Sequence, residues 1–521
     1  MLVWKKSSDP DDRSKTPKAR LVLVGWQDPD LGHIATDSPT LRKETKHLIL
    51  SICASKKWKI WGADIKTAFL SGDPTQRDIY FKPPSEIKEW MNLSEDLYSL
   101  KNSSGELVGV CGVHVDDIIG GGTPEMDAVL SKMRQKLPFG DYRTYTIRYT
   151  GIEIRQDPQS RAIEIGQEGY IDSLEPVPTK QYGKAEDSMP NASIMRTCAG
   201  QLAWVANATR PDQSFLASFL QGVQDKGTVA HLQMYNKAVR EMKERKVCLR
   251  FPAGIPLKQL RIMCITDAGW GTRSNGESQG GYVLCLTVPK MFERVRAPCW
   301  IVDWQSKKLR RVVRSSVAAE TLAGQNGLDA IEAFQALMLE TIYGVTPKQF
   351  REMTPDDPAA LVLDSKGFYD AVTRSCCSQA ISQERRLQID YSIAKETTIK
   401  QNIILFWVNN LRMSADCLTK LKGDTKPLFE ILEQCSYEIT MSTQSGKKEK
   451  NSCLHSSVSK TGQKLFPLYR CQSLSLAKPV ITVINRGVIA CHRHNSGVII
   501  WSLSLAQSAV YRNSSCTDSA S

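Results

Sequence analysis

Two adjacent aspartates, Asp116 and Asp117, sit in the stretch CGVHVDDIIGGG between the β-formers Val113, Val115, Ile118 and Ile119. Neighbouring carboxylates repel each other and resist burial, so an unpaired site would be costly or would force protonation. Two readings are open for the pair: a hairpin turn with solvated tips, or a strand–turn–strand that offers its carboxylates to a divalent cation. Asp64, in WGADIKTAFLSGD, ends an apolar run earlier in the chain. Alone it reads as a turn or cap residue. One Asp on a strand and two in a neighbouring hairpin could bring three carboxylates to two Mg²⁺ ions about 4 Å apart, an arrangement that activates a hydroxyl and steadies a leaving phosphate oxygen.

A second acidic series lies downstream. Asp267 ends the strand-like run RIMCIT, and Asp364 ends AALVL. Glu320 lies in SSVAAETLAG, a helix start with Ser315 or Ser316 as cap. Asp416 lies in MSADCLTK, where Ser414 as N-cap would put it in a first helical turn, at the positive end of the dipole. Ala318, Ala319, Ala323 and Gly324 would let the Glu320 helix approach a sheet closely. Turn and cap acids are common, so each has a structural explanation; the four together suit phosphodiester cleavage at a two-metal site.

The elements that must position these acids alternate along the chain. Residues 18 to 180 mix short β-rich runs with helical ones, including the helix-like DSPTLRKETKHLILSICASKK, with Asp37 or Ser38 as cap and Pro39 in the first turn. Gly120, Gly121 and Gly122 read as the end of the hairpin, since no Walker loop is present. The segment EPVPTKQYGKAEDSMPN separates this part from a helical region, and a second α/β segment begins near residue 258. After about residue 440 the chain becomes Ser-rich and basic, with six Lys and four Arg against Glu449 and Asp518, and reads as poorly ordered. Cys491, His492 and His494 there make a weak metal motif without a distant fourth ligand.

The net charge of +13 permits a polyanionic partner without requiring one, because the tail alone supplies +8. Fifteen cysteines with no C-x-x-C pair suggest reduced thiols and an intracellular location. No run of 18 apolar residues or signal-peptide core is present, so no membrane partner is expected.

Taken in order, these motifs resemble the polymerase and ribonuclease H part of a copia-type retrotransposon Pol polyprotein. KARLVLVG resembles the family's fingers strand, WGADIKTAFLSGD with IYFKPP its first metal motif, and VHVDDIIGGG its second. TGIEIRQ with IEIGQEGYIDSL, and MRTCAGQLAWVANATRPDQSFLASFLQ, are similar to the segments that follow. TDAGWG, QGGYVLCL, WQSKKLRRVVRSSVAAET, LVLDSKGFYDAV and FWVNNLRMSADCLTK match the downstream unit in sequence order.

The resemblance implies an α/β (α+β) chain. Residues 1–180 would form reverse-transcriptase fingers and palm, shortened between 85 and 113, and 181–257 the thumb or connection helices. Residues 258–425 would form a ribonuclease H-like mixed sheet with helices, leaving 441–521 as a basic tail. It gives Asp64, Asp116 and Asp117 to polymerase metal binding, and Lys18 and Arg20 to the incoming triphosphate. It gives Asp267, Glu320, Asp364 and Asp416 to the ribonuclease H metal site. Two Mg²⁺ per site are implied, with Mn²⁺ as a substitute. The implied partners are an RNA–DNA hybrid, an RNA template, a DNA primer and, for a working polymerase, dNTP. The hybrid would be selected by shape, phosphate and 2′-OH contacts, with Trp407, Lys307 and Lys308 helping to hold it. The implied location is cytoplasmic, in a virus-like particle, or nuclear.

Departures from the family pattern bear on activity. Only residues 85 to 113 lie between IYFKPP and the second metal motif, where the family has a long segment supporting the template–primer pair. Polymerase action is therefore expected to be impaired, since positioning supplies much of such catalysis. No histidine occurs between residues 232 and 454, so none is at hand for product release. The alternative expectation is a decayed, non-catalytic transposon-derived protein that at most binds nucleic acid.

Overall fold

The structure is a computed structural model. It describes residues 2–6, 15–19, 40–65, 97–114, 117–136, 139–189, 191–273, 276–374 and 385–440, together with 481–482. Contacts divide the chain into residues 1–39 and 40–521. In the first unit, β1 (Leu2–Lys6) and β2 (Lys15–Ala19) pair antiparallel, with Val3 opposite Lys18.

The second unit opens with α1 (Lys43–Ser55) and β3 (Lys59–Ile65). The helix begins later than its sequence suggests: Arg42 stands at the N-cap, and Asp37, Ser38 and Pro39 lie outside the described residues. Strands β4 (Leu97–Lys101), β5 (Leu107–His114) and β6 (Asp117–Gly122) follow, then α2 (Pro124–Lys136) and β7 (Phe139–Thr144). They form an antiparallel sheet in the order β4-β5-β6-β3-β7. The three glycines are the last residues of β6 and end the hairpin, as expected. They pair inside the sheet, where a Cβ on Gly120 would crowd Trp61, one on Gly121 the Cys53 sulfur of α1, and one on Gly122 the Met126 side chain of α2. Their small size lets two helices and an indole close on the strand.

Strands β8 (Thr146–Tyr149), β9 (Ile152–Gln156) and β10 (Ile163–Gly166) alternate buried and exposed residues and make a second antiparallel sheet. After α3 (Glu168–Asp172), the helical region holds α4 (Ala192–Ala208), α5 (Ser214–Val223) and α6 (Val229–Glu244) around a core that includes Leu202, Leu220 and Val239. Then β11 (Leu249–Phe251) joins β10.

The downstream sheet contains β12 (Arg261–Gly269), β13 (Gln279–Thr287) and β14 (Ala297–Lys308), all antiparallel. The helices α7 (Ser316–Tyr343) and α8 (Pro347–Glu352) lead to β15 (Ala359–Leu363), which lies parallel to β12. The helices α9 (Lys366–Thr373) and α10 (Arg385–Lys400) precede β16 (Ile403–Trp407), parallel to β15. Parallel neighbours require crossovers, and these helices provide them. Near-continuous apolar runs such as IMCI and AALVL are buried in the sheet. Past residue 425, α11 (Lys426–Gln434) and β17 (Ser436–Tyr437) follow, and β17 pairs with β14, so the sheet order is β16-β15-β12-β13-β14-β17. In the tail, β18 (Ile481–Thr482) pairs with β4. Among the described residues no helix is long and apolar enough to cross a membrane.

Candidate active site

Asp267, Glu320 and Asp364 each bring one carboxylate oxygen within 4.8 Å of the other two. Three elements deliver them. Asp267 lies near the end of the central strand β12, opposite Gly281 of β13, and is 1% exposed. Glu320 rides in the second turn of α7, whose N-cap is Ser315: the Ser315 hydroxyl accepts from the Ala318 N–H at 3.2 Å. Asp364 directly follows β15, and its carbonyl accepts from Trp407 Nε1 at 2.9 Å. That indole, stacked under the Lys366 ammonium at 4.6 Å, anchors the backbone that carries the acid.

Close packing of α7 on the sheet makes the meeting possible. Ala318, Ala319 and Ala323 are buried as the sequence suggests. Gly324 instead makes room for the Phe368 ring of α9. At Gly327 the helix lies close on β12, where a Cβ would overlap the Thr266 methyl. Sequence reading missed Gly327; its spacing one helical turn beyond Ala323 was the available signal.

Burial and crowding raise the proton affinity of all three acids. Asp364 is pushed up to about 6, first by burial and then by the Asp267 charge. Glu320 stands well above the usual carboxylate range through burial and the charges of Asp267 and Asp364. Asp267 is raised by burial, against the opposing pull of Lys420 and the Thr419 hydroxyl. Its Oδ1 is buried with no hydrogen-bond partner among the described residues. Three crowded carboxylates and an orphaned oxygen suit a hard, oxygen-seeking divalent cation.

Asp416 stands beside this triangle. It opens a single 3₁₀ turn, Asp416–Leu418, preceded by Ala415, and the hydroxyl of Ser414 is buried without a partner rather than capping the turn. The Asp416 carboxylate accepts from Lys420 Nζ and, at 2.8 Å, from the Asp424 N–H. Gly281 allows this turn to lie on the sheet, since a Cβ there would press on Leu418. Lys420 was not among the residues expected from sequence; its position four residues beyond Asp416 was the clue.

The upstream acids meet across strands. Asp64 of β3 pairs directly with Asp117 of β6, and Asp117 pairs with His114 of β5. Both aspartates are half-buried. Asp117 Oδ2 accepts from the Thr150 N–H at 3.1 Å. A Cβ at Gly140 would stand 2.9 Å from Asp64 Oδ2, so glycine leaves that carboxylate its space. Like charges directly opposite on one sheet face are unfavourable unless something positive lies between them. Asp116 and Arg20 lie outside the described residues, as do Cys491, His492 and His494, while Lys18 is placed in β2 by its backbone. Of the residues named for holding a hybrid, Lys308 pairs with Glu277 at 2.8 Å and Lys307 is exposed. Trp270, just past Asp267 and 53% exposed, was not anticipated.

The family model for reverse transcriptase (RNA-dependent DNA polymerase) matches residues 1–104. The chain is 25% identical to the retrovirus-related Pol polyprotein from transposon RE1 of Arabidopsis thaliana, over 80% of this chain and 30% of that protein. It is 23% identical to the RE2 polyprotein of the same plant, with the same coverage, and 22% identical to that of transposon TNT 1-94 of Nicotiana tabacum, over 83% and 35%. The chain thus spans about a third of the length of these relatives. Among solved structures, LC11-RNase H1 in complex with RNA/DNA hybrid aligns at 16% identity and a TM-score of 0.22, over 32% of this chain and 99% of that one. The N-terminal RNase H domain of rv2228c from Mycobacterium tuberculosis aligns at 17% and 0.20, over 32% and 99%. Over about four fifths of its length, and in a mixed α/β architecture, the chain is similar to the copia-type, retrovirus-related Pol polyproteins of transposons.

Proposed function

We propose that the chain cuts RNA in RNA–DNA hybrids at the Asp267–Glu320–Asp364 site, using Mg²⁺ in a two-metal mechanism, beside a polymerase region impaired in placing its primer. The observation that carries this reading is the convergence of three carboxylates from β12, α7 and the end of β15 within 4.8 Å, with one buried oxygen of Asp267 lacking a partner. Bound divalent cations would supply Lewis acidity and a lowered pKa for the attacking water. The chain's own part is to hold the acids in place. Thr419 orients Asp267 through a hydroxyl hydrogen bond, the Ser315 cap sets the start of the Glu320 helix, and Trp407 anchors Asp364 through its carbonyl. Asp416 and Lys420 border the site on a further side.

For the polymerase, Asp64 opposite Asp117 supports a metal-binding pair, with Asp116 as the third acid and Lys18 and Arg20 toward dNTP. Impairment is supported by the short stretch of 85 to 113, which leaves little chain to support a template–primer pair. An RNA template, a DNA primer and their hybrid are the partners this reading requires, within the cytoplasm or nucleus.

The test is a labelled DNA primer annealed to a labelled RNA template, with Mg²⁺ and nucleotides. Wild type, Asp364→Asn and Asp117→Asn would be compared. The expected result is RNA cutting that disappears only in Asp364→Asn, with no primer extension in any sample. Extension lost in Asp117→Asn would refute the impairment. A folded wild type that neither cuts nor extends would replace this reading with that of a decayed, non-catalytic product.

A further inference from the structure

Lys420 places an ammonium inside the acidic cluster. Its Nζ donates to Asp416 Oδ1 and stands 3.5 Å from Asp267 Oδ2, which also accepts from the Thr419 hydroxyl. The remaining oxygen of Asp416 takes the Asp424 N–H at 2.8 Å. Asp416 and the Oδ2 side of Asp267 are therefore supplied with donors by the chain itself. Oδ1 of Asp267, in a residue 1% exposed, has no such donor among the described residues and is left over for the triangle with Glu320 and Asp364. The cluster thus has two unequal halves: one holds three crowded carboxylates, the other two carboxylates bridged by a cation.

We infer that Lys420 is the chain's own counter-cation in the second half. The free protein takes one divalent ion at Asp267, Glu320 and Asp364, and admits a second between Asp267 and Asp416 only in exchange for the Lys420 ammonium. This rests on the reading of these acids as a metal site and deepens it. Lysine suits such a part, being a compact point charge on a flexible four-carbon stem. The Lys420 side chain is 40% exposed, so its head can leave for solvent without disturbing the core. The energetic reason for exchange is Coulombic, since an ammonium and a divalent ion cannot share the same two carboxylates without strong repulsion.

The experiment counts ions on the full chain without nucleic acid, using Mn²⁺ alone as the probe. Electron paramagnetic resonance gives the number bound, and calorimetry the affinities. Wild type should bind one ion tightly. Lys420→Met should tighten a second site by about tenfold or more, whereas Lys420→Arg, which keeps the charge, should resemble wild type. Two ions of similar affinity on wild type would overturn the inference, as would a second affinity unmoved in a folded Lys420→Met. If Lys420→Met does not fold, Lys420→Gln takes its place, and the wild-type ion count still decides. If no bound ion is lost in Asp364→Asn, the metal site itself fails, and the role of Lys420 falls with it.

Discussion

Asp364 shows most directly how the cluster stores electrostatic tension. Its proton affinity is raised to about 6 by burial and by Asp267, against an ordinary value near 4. Between those values the folded chain holds a proton that the unfolded chain has released. Stability from this group is therefore greatest below the ordinary value and is lost as pH rises through about 6. A divalent ion reverses the trend, because it binds the ionised form and releases the proton. We expect the melting temperature of the metal-free chain to fall less steeply from pH 4 to 6 in Asp364→Asn than in wild type. We also expect Mg²⁺ to raise melting more at pH 7.5 than at pH 5, by an increment that Asp364→Asn abolishes. Scanning fluorimetry across pH, with and without Mg²⁺, measures both. An equal Mg²⁺ effect at the two pH values would contradict the coupling.

At the level of elements, the site depends on how closely α7 lies on β12. Gly327 faces the Thr266 methyl, with Leu361 and Cys264 also near, so the helix has no room for another carbon there. Gly327→Ala should destabilise the chain by about 1–3 kcal/mol through overpacking. Because Glu320 rides on the same helix, Mn²⁺ affinity should fall too. The exposed Gly200 in α4 is the contrasting case, since a Cβ there meets nothing within 4 Å. Gly200→Ala should be neutral or stabilising by about 0.5–1 kcal/mol, through helix propensity alone. Urea unfolding of the two variants separates the effects, and a Gly327→Ala as stable as wild type would show that the helix can shift freely.

Within residues 40–521, the helix that precedes β3 is also a wall of the downstream sheet. Lys43 Nζ lies 2.8 Å from Asp303 and donates to the Trp304 carbonyl, which places its charge over the Trp304 ring. His47 Nδ1 meets the Val302 carbonyl at 2.8 Å, and burial holds its pKa well below the usual histidine range, leaving the ring neutral and acting as donor. Ser51 accepts from the Trp300 indole, and the Ala206 carbonyl of α4 accepts from the Trp304 indole. One continuous core joins Leu48, Ile52 and Ile60 to Ile265, Val302 and Leu361. Residues 258–440 produced alone would expose β14 and its two tryptophans. We expect that fragment to be insoluble or molten, whereas residues 40–440 should unfold cooperatively. Solubility and near-ultraviolet circular dichroism decide the point; a well-packed short fragment would mean that α1 is dispensable.

Much of this was legible in the residues. Asp267 and Asp364 were placed at strand ends, and Glu320 behind a Ser315 or Ser316 cap, because a strand followed by an acid and a Ser before an Ala-rich run are local patterns. The meeting of Asp64 with Asp117 follows from the expected strand and hairpin once the two strands pair. Other features had no local signature. The glycines of β6 read as the end of the hairpin, and only the helices packed on that strand reveal them as spacers. Ser414 looks like a cap, yet its hydroxyl is buried by the turn lying on β13. The fusion of α1 to β14 joins residues more than two hundred positions apart, and nothing in either segment specifies the other. Which acids are present, and which elements carry them, can be read along the chain, because hydrophobic period and capping act over a few residues. That three acids share one space while the fourth is held by Lys420 emerges in the folded chain alone, because distances between elements are set by packing and not by spacing along the chain.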